Sequence, residues 1–167
     1  MSLSGTWWGR RGLDGEGEMR AVVQRVDRAE VRVAGERVAE MRAGLLALVG
    51  VAPGDTRSDA VSMARKIVNL RVFDDSEGRL NHSLVDRGYP LGVVSQFTLM
   101  ADCRRGRRPS FGSAAPAEEA EPLVEAVVAA AVEMGVPVVT GQFGASMSVE
   151  LVNAGPMTLL LDTRDAF

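Results

Sequence analysis

The sequence predicts an α+β domain built on a largely antiparallel, curved or barrel-like sheet with two helices. Three observations lead there. Strand-like stretches cluster before, between and after two helical patterns, without the strict strand-helix alternation of a doubly wound sheet. No internal repeat or linker interrupts residues 19–163. A chain of 167 residues, 46% of them hydrophobic, is long enough to bury roughly 70% of its unfolded surface in one core.

The first 18 residues, MSLSGTWWGRRGLDGEGE, are rich in Gly and charge and show no period. They read as a flexible leader or tag outside a single domain of residues 19–167, although Trp7 and Trp8 could serve as a docking element. A secretory signal would need a continuous apolar core and a small-residue cleavage site, and neither is present.

From Met19 the stretch MRAVVQRVDRAEVRV is strand-like, with Val31 and Val33 alternating against Glu30 and Arg32. Ala34-Gly35-Glu36 marks a turn into RVAEM, so an amino-terminal hairpin or meander is expected. GLLALVGV, residues 44–51, is a continuous apolar run ended by Pro53-Gly54, the pattern of a strand buried on both faces.

Between Thr56 and Leu70, Ala60, Val61, Ala64, Ile67 and Val68 recur at helical steps, with Thr56 or Ser58 to cap the first turn. RVFDDSEGRLN offers a short strand and a Ser-Glu-Gly turn, and LGVVSQF another buried strand. A second helix is expected over residues 117–134, stopped by Gly135, with Pro122 marking either a late start or a kink. VPVVTGQF, SMSVELVN and MTLLLDT then predict three closing strands.

Charge and cysteine usage narrow the function classes. The net charge is −3, and removing the leader leaves the chain still slightly acidic, so a polyanionic partner must be met by local patches. The single cysteine, Cys103, cannot pair within the chain, and no Cys or His cluster has the spacing of a zinc site. A reducing cytoplasm is the compartment this fits, and no apolar stretch is long enough to span a membrane as a helix. No metal or cofactor is called for.

The chemistry-bearing stretch is SQFTLMADCRRGRRPSF, residues 95–111, where a buried strand ends in polar residues and runs into arginines. There is no nucleophile elbow around Ser95. The only histidine, His82, lies in RLNHSLVD and reads as an exposed loop residue, which leaves a Ser-His-Asp hydrolase poorly supported. The alternative is an oxyanion held by backbone N–H groups at the strand end, acting on a labile bond. Arg104, Arg105, Arg107 and Arg108 flank Gly106; they are either a solvated loop or, beside the strand end, contacts to a phosphate-bearing substrate. In NAGPMT, residues 153–158, Gly155-Pro156 is either an ordinary turn or a rigid unit that presents backbone carbonyls in a fixed direction.

SQFTL (95–99), RPSF (108–111), TGQFGASM (140–147) and NAGPMT (153–158), with the opening MRAVVQRV, resemble the D-aminoacyl-tRNA deacylases, formerly D-tyrosyl-tRNA deacylases. The resemblance runs from Met19 to about Thr163. It implies a small α+β homodimer with active sites at the subunit interface, hydrolysing the ester that joins a D-amino acid, or glycine, to the terminal ribose of tRNA. On this basis the catalytic stretch falls on Ser95, Gln96, Phe97 and Thr98, with N–H groups of Gln96 and Phe97 as oxyanion donors. Thr98 is then a positioning group while water attacks with help from a tRNA ribose hydroxyl. The family's Gly-cis-Pro element falls on Gly155 and Pro156, which would reach into the neighbouring subunit's pocket and reject L-residues. Arg25 would steady that element, Phe143 and Met147 would line the pocket or fill the core, and Arg104, Arg105, Arg107 and Arg108 would meet tRNA phosphates. Two other readings stay open: a non-catalytic nucleic-acid-binding homodimer, and a Thr- or Ser-nucleophile hydrolase of small esters.

Overall fold

The computed structural model describes residues 17–165. In chain order the elements are β1 (Arg20–Val33), β2 (Glu36–Met41), β3 (Gly44–Gly50), α1 (Arg57–Asn69), β4 (Phe73–Asp74), β5 (Leu80–His82), α2 (Leu84–Arg87), β6 (Leu91–Ser95), a 3₁₀ turn (Phe97–Met100), α3 (Ala117–Glu133), β7 (Val138–Thr140) and β8 (Met147–Asp162).

β1 organises the sheet. Its second half pairs antiparallel with β2 across a two-residue turn in which Ala34 (φ 50°) and Gly35 (φ 81°) both take positive φ, as a type I′ hairpin requires. Its first half pairs antiparallel with β3, and its other edge pairs with β8 nearly from end to end. β3 and β6, and β6 and β7, are parallel. The sheet is therefore mixed, with most of its pairing antiparallel as expected. Parallel neighbours need long crossovers, and α1 and α3 lie in the two that are used here.

The sheet has a core on each face. On one, Ala21, Val23, Leu45, Ala47, Val49, Leu91 and Val93 pack with Met63 and Ile67 of α1 and Val127 and Ala131 of α3. On the other, Val26, Ala29, Val31, Met41, Leu46 and Val94 form a second cluster, with Val139 of β7 and Met147 against it. The sheet curls until β2 and β7 share this second core, which gives the barrel-like form. Burial on both faces explains why β3 and β6 read as unbroken apolar runs.

The α+β class and the curved sheet stand as expected, with four local differences. A third helix, α2, is a single turn bounded by a Ser83–Asp86 capping box and by Gly88 at φ 63°. One turn carries too few apolar positions to show a period. Pro122 sits inside α3, which begins at Ala117, so it does not mark a late start; Ala120, Val124 and Val127 are buried around that turn and hold it despite the missing N–H. The last two expected strands are one, β8, which continues through NAGPMT. Gly17 and Glu18, assigned to the leader, join the fold: Arg164 Nε donates to the Gly17 carbonyl, and Glu18 pairs with Arg20 at 2.9 Å. The rest of the leader, with Trp7 and Trp8, lies outside the described residues.

Candidate active site

β6 ends at Ser95, alongside Val49 of β3. The chain then tightens into the 3₁₀ turn, closed by Leu99 N–H donating to the Gln96 carbonyl at 3.2 Å and Ala101 N–H to the Thr98 carbonyl at 3.1 Å. Gly50 makes room for it. A Cβ at that position would stand 3.0 Å from the Gln96 oxygen and 3.0 Å from Leu99 Cβ. Arg20 Nη1 donates to the Leu99 carbonyl at 3.4 Å from the neighbouring strand.

This geometry revises the donor assignment. The Gln96 N–H donates to the Val49 carbonyl at 2.8 Å, a sheet bond that removes it as an oxyanion donor. The N–H groups of Phe97 and Thr98 open the turn and have no acceptor among the described residues, as first-turn groups ordinarily do not. Gln96 Nε2 instead donates to Thr98 Oγ1. No base contacts Thr98. His82 pairs with Phe73 in the small β4–β5 sheet and is half-buried there, not in an exposed loop, with Asp75 and Asp86 as its near charges.

The arginine loop is closed at its base by reciprocal backbone bonds between Asp102 and Ser110, at 2.7 and 2.9 Å. Arg104 turns inward onto Asp102, donating through Nε at 2.8 Å and Nη2 at 2.6 Å. Those bonds hold the Asp102 carboxyl far below the usual carboxylate range. All four arginines are exposed, but Arg104 is paired within the loop, whereas Arg105, Arg107 and Arg108 have no carboxylate partner among the described residues. At the loop's exit Phe111 stacks edge-on against Phe97.

NAGPMT is neither a turn nor plain strand. Val26 pairs with Asn153 and Gln24 with Thr158, so residues 154–157 stand opposite the single residue Arg25 and bulge out of β8. Gly155 and Pro156 are exposed, the bond between them is cis, and Gly155 has φ 122°, which disfavours any side chain there. Arg25 holds one flank, donating through Nε to the Ala154 carbonyl at 3.2 Å and through Nη1 to the Val72 carbonyl at 2.7 Å. Phe143 packs beside the first core. Met147 is packed against the second, on the opposite face, where its Sδ sits 2.6 Å from the place a Cβ on Gly141 would occupy.

The turn follows the end of β6, an inner strand, whereas the bulge lies midway along β8, which pairs only with β1. Ser95 aligns through Val49 with Ala21, and the bulge faces Arg25, four residues along β1 and three strands across. That is about 13 Å along and about 14 Å across the sheet. Within one chain, three strand spacings separate the two elements.

The family model for D-Tyr-tRNA(Tyr) deacylase matches residues 22–162. The chain belongs to this family. It is 55% identical over 147 residues to a D-aminoacyl-tRNA deacylase of Dehalococcoides mccartyi, spanning 88% of this chain and 96% of the relative. A D-aminoacyl-tRNA deacylase of Roseiflexus castenholzii is 56% identical over 145 residues, covering 87% and 92%. Among solved structures, a c-Myc DNA unwinding element binding protein superposes with TM-score 0.79 and 38% identity over 85% of this chain and 97% of that one. A probable eukaryotic D-amino acid tRNA deacylase shares the fold at TM-score 0.75 and 17% identity, covering 87% of this chain and 99% of that one. The span matched to the deacylase family contains the 3₁₀ turn, the arginine loop and the bulge.

Sequence reasoning passed over Gly50, Phe111 and Asn153. Gly50 and Asn153 had faint signals: a glycine ending an apolar strand, and an amide at the mouth of a Gly-Pro segment. Among the described residues no cluster of His, Cys, Asp or Glu could hold a metal ion, and no helix is long and apolar enough to cross a membrane.

Proposed function

We propose that the protein is an esterase that cleaves the bond between a D-amino acid and the terminal ribose of tRNA. It works as a homodimer in which Gly155-Pro156 of one protomer completes the site at Ser95–Thr98 of the other. The separation of turn and bulge within one chain carries this reading, because only a second copy can bring an exposed bulge to an exposed turn. The outer face beside the turn supports it: Phe97 is 56% and Leu160 52% exposed, next to the half-buried Val22 and Leu99. A second copy would cover that apolar patch.

In the proposed reaction the ester carbonyl sits against the N–H groups of Phe97 and Thr98. Preorganised donors of this kind lower a barrier by several kcal/mol once charge develops on the oxygen. Water attacks with help from the substrate's own ribose hydroxyl, since the turn offers no base. The exposed backbone of the bulge selects by exclusion: an L side chain would collide with it, a D side chain points away, and glycine has nothing to collide. Glycyl-tRNA is therefore a second substrate, and the cytoplasm, where tRNA is charged, is the proposed compartment. Arg105, Arg107 and Arg108 meet tRNA phosphates.

The test is deacylation of paired D- and L-tyrosyl-tRNA, expected to be far faster for the D form; equal rates would reject the chiral filter. Subunit mixing tests the shared site. A chain whose Gly155 is replaced by a bulky residue that blocks the partner's site, combined with one defective at the 3₁₀ turn, should regain about a quarter of wild-type activity, from the one intact site of each mixed dimer. No recovery would place both elements in one chain's own site. A second reading has one observation in its favour, the 38% identical structure of a protein named for binding a DNA element. In that case neither tRNA would be hydrolysed while nucleic acid still bound.

A further inference from the structure

Arg25 secures only the amino-terminal flank of the bulge. The other flank is held by side chains the family resemblance does not assign. Asn153 folds back over the four bulged residues, and its Oδ1 accepts the Met157 N–H at 3.0 Å. Its Nδ2 donates to Thr158 Oγ1 at 3.0 Å, and Gln24 Nε2 of β1 donates to the same oxygen at 3.3 Å. Asn153 and Thr158 are the two residues at which β8 leaves and rejoins its pairing with β1. The amide therefore closes the mouth of the bulge like a clasp and fixes it to the sheet. The Met157 N–H, part-buried and facing no partner strand, would otherwise be left unsatisfied.

We infer that Asn153, backed by Thr158 and Gln24, is a positioning residue that sets how strictly the protein rejects L-aminoacyl esters; this rests on the function proposed above. Exclusion by backbone works only if the backbone does not yield. An L side chain is refused by collision with the bulge, so a bulge free to recede admits it. A D-substrate makes no such collision, and its turnover depends on the turn of the partner subunit. Loosening the clasp should raise the L-rate and leave the D-rate nearly unchanged. A general structural defect would lower both.

The experiment measures kcat/KM for D- and L-tyrosyl-tRNA on the full-length dimer, with exchange of the Met157 amide followed by NMR. Asn153→Ala should reduce the D-to-L ratio by about tenfold, the equivalent of one lost hydrogen bond to a part-buried donor, and speed Met157 exchange. Asn153→Asp retains the acceptor for Met157 and lets the Thr158 hydroxyl donate to the new carboxylate, so it should keep the ratio within about threefold of wild type. Thr158→Val keeps the shape, removes the hydroxyl, and should lower the ratio by roughly two- to fivefold. It decides the matter if Asn153→Ala does not fold. A ratio unchanged in the folded variants, or D- and L-rates that fall together, overturns the inference. Wild-type protein that fails to discriminate at all would instead overturn the proposed function.

Discussion

Phe111 stands edge-on to Phe97, ring centroids 5.2 Å apart and planes inclined at 69°. Phe97 opens the 3₁₀ turn and Phe111 closes the arginine loop, so this contact couples the reactive end of the site to the segment proposed to hold tRNA. Both rings are exposed, at 56% and 38%. An aromatic pair of this kind is worth ~0.5–1.5 kcal/mol beyond its buried area. Phe111→Ala should therefore raise KM for D-aminoacyl-tRNA by roughly three- to tenfold and leave kcat within about twofold. Steady-state kinetics separate the two, and an unchanged KM would mean the loop is positioned without the ring.

The loop's arginines should not contribute equally. Each of Arg105, Arg107 and Arg108 that meets a phosphate contributes about 0.7–0.9 to the slope of log affinity against log salt. Changing all three to Gln should flatten that slope by about two to three. Arg104→Gln should change it by less, because Asp102 already occupies that guanidinium. Asp102→Asn would release Arg104 and steepen the slope. Equal effects from all four positions would show that the Asp102 pairing breaks when tRNA binds.

Thr98 separates the water-attack mechanism from a nucleophilic one. Its hydroxyl is engaged by the Gln96 side chain and no base adjoins it. Thr98→Ala should keep measurable D-tyrosyl-tRNA deacylation, with no covalent acyl-enzyme seen by mass spectrometry in the wild type. Complete loss of turnover with normal tRNA binding would instead identify Thr98 as the nucleophile.

What the sequence disclosed and what it hid have physical reasons. β3 and β6 were legible because burial on both faces leaves an unbroken apolar run, and α1 because Ala60, Ala64 and Ile67 keep one face. The parallel pairing of β3 with β6 was not, since each strand's pattern is blind to its neighbour's direction. SQFTL and NAGPMT stood out as polar or rigid segments among apolar ones. Their bonding did not: that Gln96 spends its N–H on Val49, that Arg104 spends its charge on Asp102, and that Asn153 spans a bulge are facts of register and closure. The segments flanking Gly155-Pro156 read as two strands because a four-residue bulge breaks alternation without ending the pairing.

Gly50 tests whether the turn's position matters to chemistry. Its strand packs directly beneath the turn, with the Gln96 oxygen and Leu99 Cβ each 3.0 Å, and Met100 Sδ 3.1 Å, from where a Cβ would stand. Gly50→Ala must push the turn outward by a few tenths of an ångström. In the proposed reaction the Phe97 and Thr98 N–H groups would then be misaimed at the oxyanion, and because a full ångström of misplacement costs about 10²-fold, a few tenths costs correspondingly less. The expected result is a fall in kcat of about three- to tenfold with a circular dichroism spectrum like the wild type's. Unchanged kcat would remove the 3₁₀ turn from the reaction.

Asp55, in the loop leading to α1, gives the fold a pH dependence of defined sign. Burial raises its carboxyl to about 6, against the opposing pull of the Ala52 N–H, which donates to Oδ2 at 2.6 Å, and of Arg164. Its Oδ1 is buried without a partner among the described residues. In the unfolded chain the same group titrates near ~3.9. The folded state therefore holds the proton more tightly, and the stability this contributes is complete below about 4 and lost as pH rises through about 6. Above that pH the fold carries a half-buried carboxylate, with Asp59 nearby adding to its cost. Asp55→Asn removes the charge and keeps an acceptor for Ala52. The difference in Tm between variant and wild type should accordingly be larger, in the variant's favour, at pH 8 than at pH 5. Thermal melts at the two pH values read this directly, and a difference that is flat or larger at pH 5 would mean that Arg164 and the Ala52 and Met19 amides neutralise the carboxylate in the fold.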